Sequence, residues 1–194
     1  KYPKIFTIHI QDPKVNTENF DIVISPEHDN LIGANTFSSK GAIHYITEND
    51  INNEKNYLNK KINSDKIVSL ILGGPNKYYH FNKMQLIKIF NEVRSNFLNI
   101  GYKIIVIPSM RTPEAIIDLA TEEFEKDGYV LNSVDKKAYL SALSLASYVV
   151  VTSDSTSMIS EASISGKPIF IANMEAKKNN YRFKKFYKLF RDLG

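Results

Sequence analysis

The sequence predicts an α/β protein built on a Rossmann-like, doubly wound parallel sheet. Three observations carry that prediction. From residue 67 onward, short aliphatic and β-branched runs alternate with segments of helical periodicity. The runs are apolar almost throughout, as strands covered on both faces must be. The resulting order, strand–helix repeated to a fifth strand, is that of a parallel sheet with helices on both sides.

The elements follow in order. Residues 5–10 form an apolar run closed by the turn residues Gln11, Asp12 and Pro13. A second strand is expected over 21–25, closed by Pro26. A third is expected over 42–46 within a Gly-punctuated stretch. Residues 49–66 are Asn- and Lys-rich and weakly helical, and read as a surface helix plus linker. A strand over 67–72 then leads through Gly73 and Gly74 to a helix over 83–98. Its Met84, Ile87, Phe90, Val93 and Phe97 recur at steps of three and four, which predicts one apolar face. Gly101 stops this helix. A strand over 102–107 precedes a helix opened by Pro113, with Glu114 in its first turn. A strand over 129–131, a helix over 139–146 and a strand over 148–152 come next. A helix over 155–165, a strand over 168–171 and an amphipathic helix over 181–193 complete the chain. The expected division is 1–48 as the end of a first domain, 49–66 as linker, 67–180 as a ligand-binding domain and 181–194 as a terminal helix. The opening residues already read as a strand, which suggests the later part of a longer protein.

Composition narrows the chemistry. The 194 residues include no cysteine, which excludes disulfides, thiolate metal sites and cysteine nucleophiles. The net charge of +4 arises from lysines spread through the chain, a pattern that does not indicate nucleic acid. No apolar run is long enough to cross a bilayer and no signal peptide is visible, so a cytoplasmic protein, peripheral at most to a membrane, is expected. The terminal helix sets Phe183, Phe186, Tyr187 and Phe190 against Arg182, Lys184, Lys185 and Lys188. Packing on its own domain accounts for that pattern better than a membrane surface does.

Ligands of such sheets bind at the carboxyl ends of the strands, near the switch in strand order. Gly73 and Gly74 follow a strand there, where a side chain would block approach to a phosphate. They form neither a dinucleotide fingerprint nor a P-loop. Arg111 and Thr112 stand just before a helix, where a guanidinium would suit a diphosphate; Thr112 as a simple cap is the structural alternative. The strongest local signal is T-S-D-S-T-S over 152–157, where five hydroxyls surround one acid. Capping by Ser155 or Asp154 explains one of them. Ser153, Ser155, Thr156 and Ser157, with the free amides of a helix start, would cradle an anion. Glu161 lies six residues past Ser155, in a segment apolar enough to be largely buried. A carboxylate there needs partners, and a ribose diol would supply two donors. His28, between Glu27 and Asp29, is the best-placed general base among four histidines. His9 and His44 read as structural, and His80 as surface. No spacing of His or acids suggests a metal site, and no cofactor is expected.

Several segments in order resemble one family: I-Q-D-P over 10–13, D-I-V-I-S-P-E-H-D over 21–29, G-A-I-H over 41–44, L-G-G-P over 72–75, S-M-R-T-P over 109–113 and V-V-V-T-S-D-S-T-S-M-I-S-E-A over 149–162. Together they resemble the mitochondrial fission factors first named for elongated mitochondria in plants, from about residue 10 to Phe186. That family is similar in turn to two-domain GT-B glycosyltransferases, and some bacterial members are labelled nucleoside-diphosphate-sugar epimerases. The resemblance implies a donor nucleotide-sugar domain from 67 to about 175, with Gly74, Arg111, Ser155, Ser157 and Glu161 facing the donor and Glu161 on its ribose. It places His28 near an acceptor-side cleft and leaves the acceptor open. It equally implies a non-catalytic adaptor, whose partner is a protein or a membrane surface.

Overall fold

The computed structural model describes residues 5–194; residues 1–4, grouped above with the first domain, lie outside it. The chain divides into two compact units, one formed by the residues up to 44 together with 180–194, the other by 45–179.

The larger unit carries a five-stranded parallel sheet. Its strands are β4 (Ile67–Leu72), β5 (Lys103–Pro108), β6 (Gly128–Val130), β7 (Tyr148–Thr152) and β8 (Ile169–Ala172), in the order β6-β5-β4-β7-β8. All six residues of β4 are buried, which explains why that strand is uniformly apolar apart from Ser69. The Ser69 hydroxyl is satisfied by donating to the Ala142 carbonyl at 2.8 Å. Each fully buried Ile or Leu of this strand contributes about 1.5–3 kcal/mol relative to exposure. Helices α3 (Lys83–Asn96), α4 (Glu114–Phe124), α5 (Lys136–Leu145) and α6 (Thr156–Ser163) alternate with the strands.

Two expectations for this unit change. In α3 the buried side chains are Leu86, Ile89, Phe90 and Val93, while Met84 is 75% exposed and Ile87 39%. The buried stripe follows 86–89–90–93; Ile87 lies one residue round from it and Met84 on the opposite side of the helix, although both are apolar. Residues 49–66, read as a surface helix plus linker, are more ordered than that reading implies. They form α1 (Glu48–Asn53) and α2 (Asn56–Asn59), with Ile51, Leu58 and Ile62 buried. A capping box between Thr47 and Asp50 starts α1. Ser141 of α5 ties the pair down, its hydroxyl accepting from the Leu58 amide at 3.0 Å and donating to the Lys55 carbonyl at 3.1 Å.

The smaller unit holds three parallel strands, β1 (Ile8–Ile10), β2 (Ile22–Pro26) and β3 (Thr36–Ser39), in sequential order. Residues 42–46 are not a strand; the third strand lies six residues earlier, registered against β2 through Ile24 and Phe37. Helix α7 (Tyr181–Leu193) belongs to this unit, with Phe183 and Phe186 buried. Among the described residues no helix is long and apolar enough to cross a membrane.

Replacing Ser141 with Ala strands the buried Leu58 amide. We expect about 1–3 kcal/mol lower stability in urea unfolding and faster amide exchange across α2. Unchanged exchange at Leu58 would show that the α2–α5 contact does not hold the helix.

Candidate functional site

The strand order reverses between β4 and β7, so the loops after these strands flank the crevice where such sheets take ligands. That crevice is organised by one buried acid. Asp154, whose side chain has no exposed surface, accepts from the Gly74 amide at 3.0 Å, from the Thr152 hydroxyl at 2.7 Å and from Arg111 Nη2 at 3.0 Å. Arg111 also donates through Nη1 to the Gly74 carbonyl at 2.8 Å. The Gly73 amide donates to Thr152 Oγ1 at 2.8 Å. Loops from β4, β5 and β7 are thereby tied into a single knot.

This knot reassigns several residues expected to face a ligand. A Cβ on Gly73 would lie 2.1 Å from Asp154 Oδ2, and one on Gly74 would lie 2.1 Å from the Arg111 carbonyl oxygen. Both positions therefore require glycine because the protein's own groups pack against them. Thr112 Oγ1 lies 2.6 Å from the Gly73 carbonyl and 3.0 Å from that of Leu72, and accepts from the Ser109 amide at 2.8 Å. It is a loop clasp, and Pro113 takes the capping position of α4. Ser153 is buried and its hydroxyl accepts from the Met174 amide at 2.9 Å. Arg111 is engaged with Asp154, though 41% of its side chain stays exposed.

The remaining four predicted residues belong to the start and face of α6. Ser155 is the cap, accepting from the Met158 amide at 3.4 Å. Thr156 and Ser157 open the helix, and their amides have no acceptor among the described residues, as expected of a first turn. Glu161 is four residues beyond Ser157, so the two share one face a turn apart. The Glu161 carboxylate is held from another helix. One of its oxygens, Oε2, accepts from the Tyr139 hydroxyl of α5 at 3.1 Å. Burial, reinforced by the Glu161 charge, pushes the Tyr139 phenol far above its ordinary range, so it is a permanent donor.

Three participants escaped the sequence, two of them on the loops after β4 and β8. Asn76 donates through Nδ2 to the Asp154 carbonyl at 2.9 Å, and Lys177 Nζ donates to the Asn76 carbonyl at 2.7 Å. Tyr139 was the third, since nothing local marks a tyrosine on α5 as a partner for an acid on α6. Among the described residues no three His, Asp or Glu side chains are grouped to hold a metal ion.

His28 belongs to the smaller unit and does not present a base to solvent. Its side chain has no exposed surface and packs edge-on to Phe186 at 5.0 Å. Nε2 lies 3.4 Å from Arg182 Nη2, and Asp29 is paired with Arg182. Burial lowers the imidazole pKa below its ordinary 6.5, against the pull of Asp29.

Two outcomes follow from these contacts. Arg111→Ala would leave the buried Asp154 without its cation and should cost about 2–3 kcal/mol, discounted for the exposed half of the guanidinium. The loss should shrink when Asp154→Asn is combined with it in a double-mutant cycle; additive losses would argue against the pair. For His28, the unfolded chain takes up a proton as pH falls through about 6.5 while the folded chain stays neutral. Stability is therefore complete above that pH and declines below it until the lowered folded pKa is reached. His28→Leu should flatten this decline in urea titrations between about pH 7.5 and 5.5.

With this geometry in place, the chain can be set beside known proteins. It is 24% identical over 207 residues to the uncharacterized protein RP120 of Rickettsia prowazekii, covering 88% of this chain and 58% of that one. It is 23% identical over 217 residues to the mitochondrial fission protein ELM1 of Arabidopsis thaliana, covering 98% of this chain and 50% of that one. The chain thus spans between half and three-fifths of the length of these relatives. Among solved structures, the UDP-GlcNAc 2-epimerase of Neisseria meningitidis bound to UDP-GlcNAc aligns at a TM-score of 0.46 and 10% identity, over 90% of this chain and 52% of that one. The wall teichoic acid polymerase TagF aligns at 0.43 and 12%, over 80% and 39%. The family model for mitochondrial fission ELM1 matches residues 1–194, and the chain belongs to that family.

Proposed function

We propose that the larger unit binds a nucleoside diphosphate, in the form of a nucleotide sugar, at the carboxyl end of its sheet. One observation carries this: the first amides of α6 are unpaired, and a tyrosine-held carboxylate stands about one turn along the same helix. The helix terminus offers donors and a partial positive charge to a diphosphate. Glu161 offers acceptors to the two hydroxyls of a ribose. Ser155, Thr156 and Ser157 complete the anion side, and the exposed part of Arg111 adds hydrogen-bond donors rather than net charge.

As an enzyme the protein would transfer a glycosyl group without a metal. The bond from the anomeric carbon to the diphosphate oxygen breaks as the acceptor oxygen bonds to that carbon. The helix terminus stabilises the charge that develops on the departing diphosphate. His28, enclosed as it is, does not supply the base. In that step the acceptor hydroxyl gives its proton to the departing diphosphate.

A second reading, a non-catalytic adaptor retaining the fold, is favoured by one feature. Asp154 already neutralises the arginine at the crevice, so the knot is complete without a ligand.

Calorimetric titration with UDP, CDP and their 2′-deoxy forms separates the two. Nucleotide binding should be saturable and should favour the ribo form. Glu161→Gln should weaken the ribo form by about tenfold and the deoxy form little, a loss of one charge-assisted hydrogen bond. No binding by any diphosphate would leave the adaptor.

A further inference from the structure

We infer that a lysine-bearing ribbon at the same sheet edge is a second anion site, taking a phosphate group that is not part of the nucleotide. The ribbon joins the loop after β4 to the loop after β8. Tyr79 and Ala176 form an antiparallel bridge, the His80 amide donates to the Glu175 carbonyl at 2.8 Å, and the Lys177 amide donates to the Tyr78 carbonyl at 2.8 Å. Its base is firm. Tyr79 and Met174 are buried, Asn76 holds the Asp154 carbonyl, and Ser153 holds the Met174 amide.

Three ammonium groups project from this frame. Lys77 and Lys178 lie over the ring of Tyr78, at 4.9 and 5.6 Å from its centroid, and Lys177 reaches the Asn76 carbonyl. None of the three forms an ion pair among the described residues. The nearby acid on the ribbon, Glu175, accepts from Gln85 Nε2 at 3.1 Å. Three like charges held together without a counter-ion repel one another, and a bound oxyanion removes that repulsion. A ring face stabilises the cations through its quadrupole without neutralising them, so their charge stays available.

The ligand class is therefore a phosphate ester or diphosphate. It could be a soluble molecule or the headgroup of an anionic lipid, and the same chemistry serves both. The site does not depend on nucleotide binding, because the lysines belong to the ribbon and not to α6.

The test uses the 194-residue chain, inorganic pyrophosphate by calorimetry, and flotation with phosphatidylcholine vesicles made with and without phosphatidic acid. Saturable pyrophosphate binding supports a soluble ligand, and capture by phosphatidic acid vesicles alone supports a lipid headgroup. In either case the combined Lys77→Gln, Lys177→Gln, Lys178→Gln variant should bind at least about tenfold more weakly, and the wild-type binding should fall with added salt. A control with the same charge change at the exposed Lys60, Lys88 and Lys126 should bind as wild type does. The inference is overturned if neither probe binds, if the ribbon variant binds as well as wild type, or if the control loses as much.

Discussion

A single buried carboxylate sets the upper edge of the larger sheet. Asp154 stands with no exposed surface at the point where the strand order reverses, and burial of a lone charge there would be prohibitive. The surrounding residues answer that cost. Gly74 presents its amide, Thr152 its hydroxyl and Arg111 its guanidinium. Gly73 and Gly74 lack side chains because the carboxylate and the Arg111 backbone occupy the space a Cβ would need. Thr112 then clasps the backbone of the same turn. Gly73, Gly74, Arg111 and Thr152 are fitted around one acid, which cross-links the ends of β4, β5 and β7 and so restrains the backbone there.

That restraint decides what remains for a ligand. Because Asp154 is satisfied internally, α6 does not need its first amides for any neighbour, and Ser155 caps only the third of them. The helix start is held in place by the segment before it while its donors stay open. Glu161 is fixed from the other side by Tyr139, a phenol that does not ionise in any ordinary buffer. The result is a preorganised pair of a donor end and an acceptor group, which is the arrangement binding favours because little ordering is left to do.

The sequence made the sheet legible, but not the contacts at the carboxyl ends of its strands. The strand over 67–72 and the strand over 148–152 were readable residue for residue, because uniform burial leaves an uninterrupted apolar run. The S-D-S-T-S segment was readable as a helix start for the same local reasons that make it one. The direction of the contacts was not. Gly-Gly after a strand looks the same whether a phosphate or an aspartate approaches it, and Asp154 lies 80 residues from the amide it accepts from. His28 looked like an exposed base because P-E-H-D is polar. Its burial depends on Phe186, more than 150 residues later, a packing fact that no local pattern encodes.

On the proposed function, the charges at this edge set which way round the nucleotide would lie. Arg111 and Asp154 cancel at close range, so neither supplies net potential to the crevice. What is left is the partial positive charge at the α6 start, worth about half an elementary charge, and the lysines of the neighbouring ribbon. Glu161 opposes them from one turn further along the helix. An anion placed against Glu161 would meet repulsion in a half-buried setting where screening is weak. In the proposed nucleotide complex the phosphate would sit at the helix start and a hydrogen-bond donor would meet Glu161. Tyr139 fills one lone-pair direction of Oε2, and the carboxylate keeps its remaining acceptor positions. A molecule carrying a diphosphate at one end and vicinal hydroxyls a short distance away satisfies both ends at once, and a molecule with anions at both ends does not.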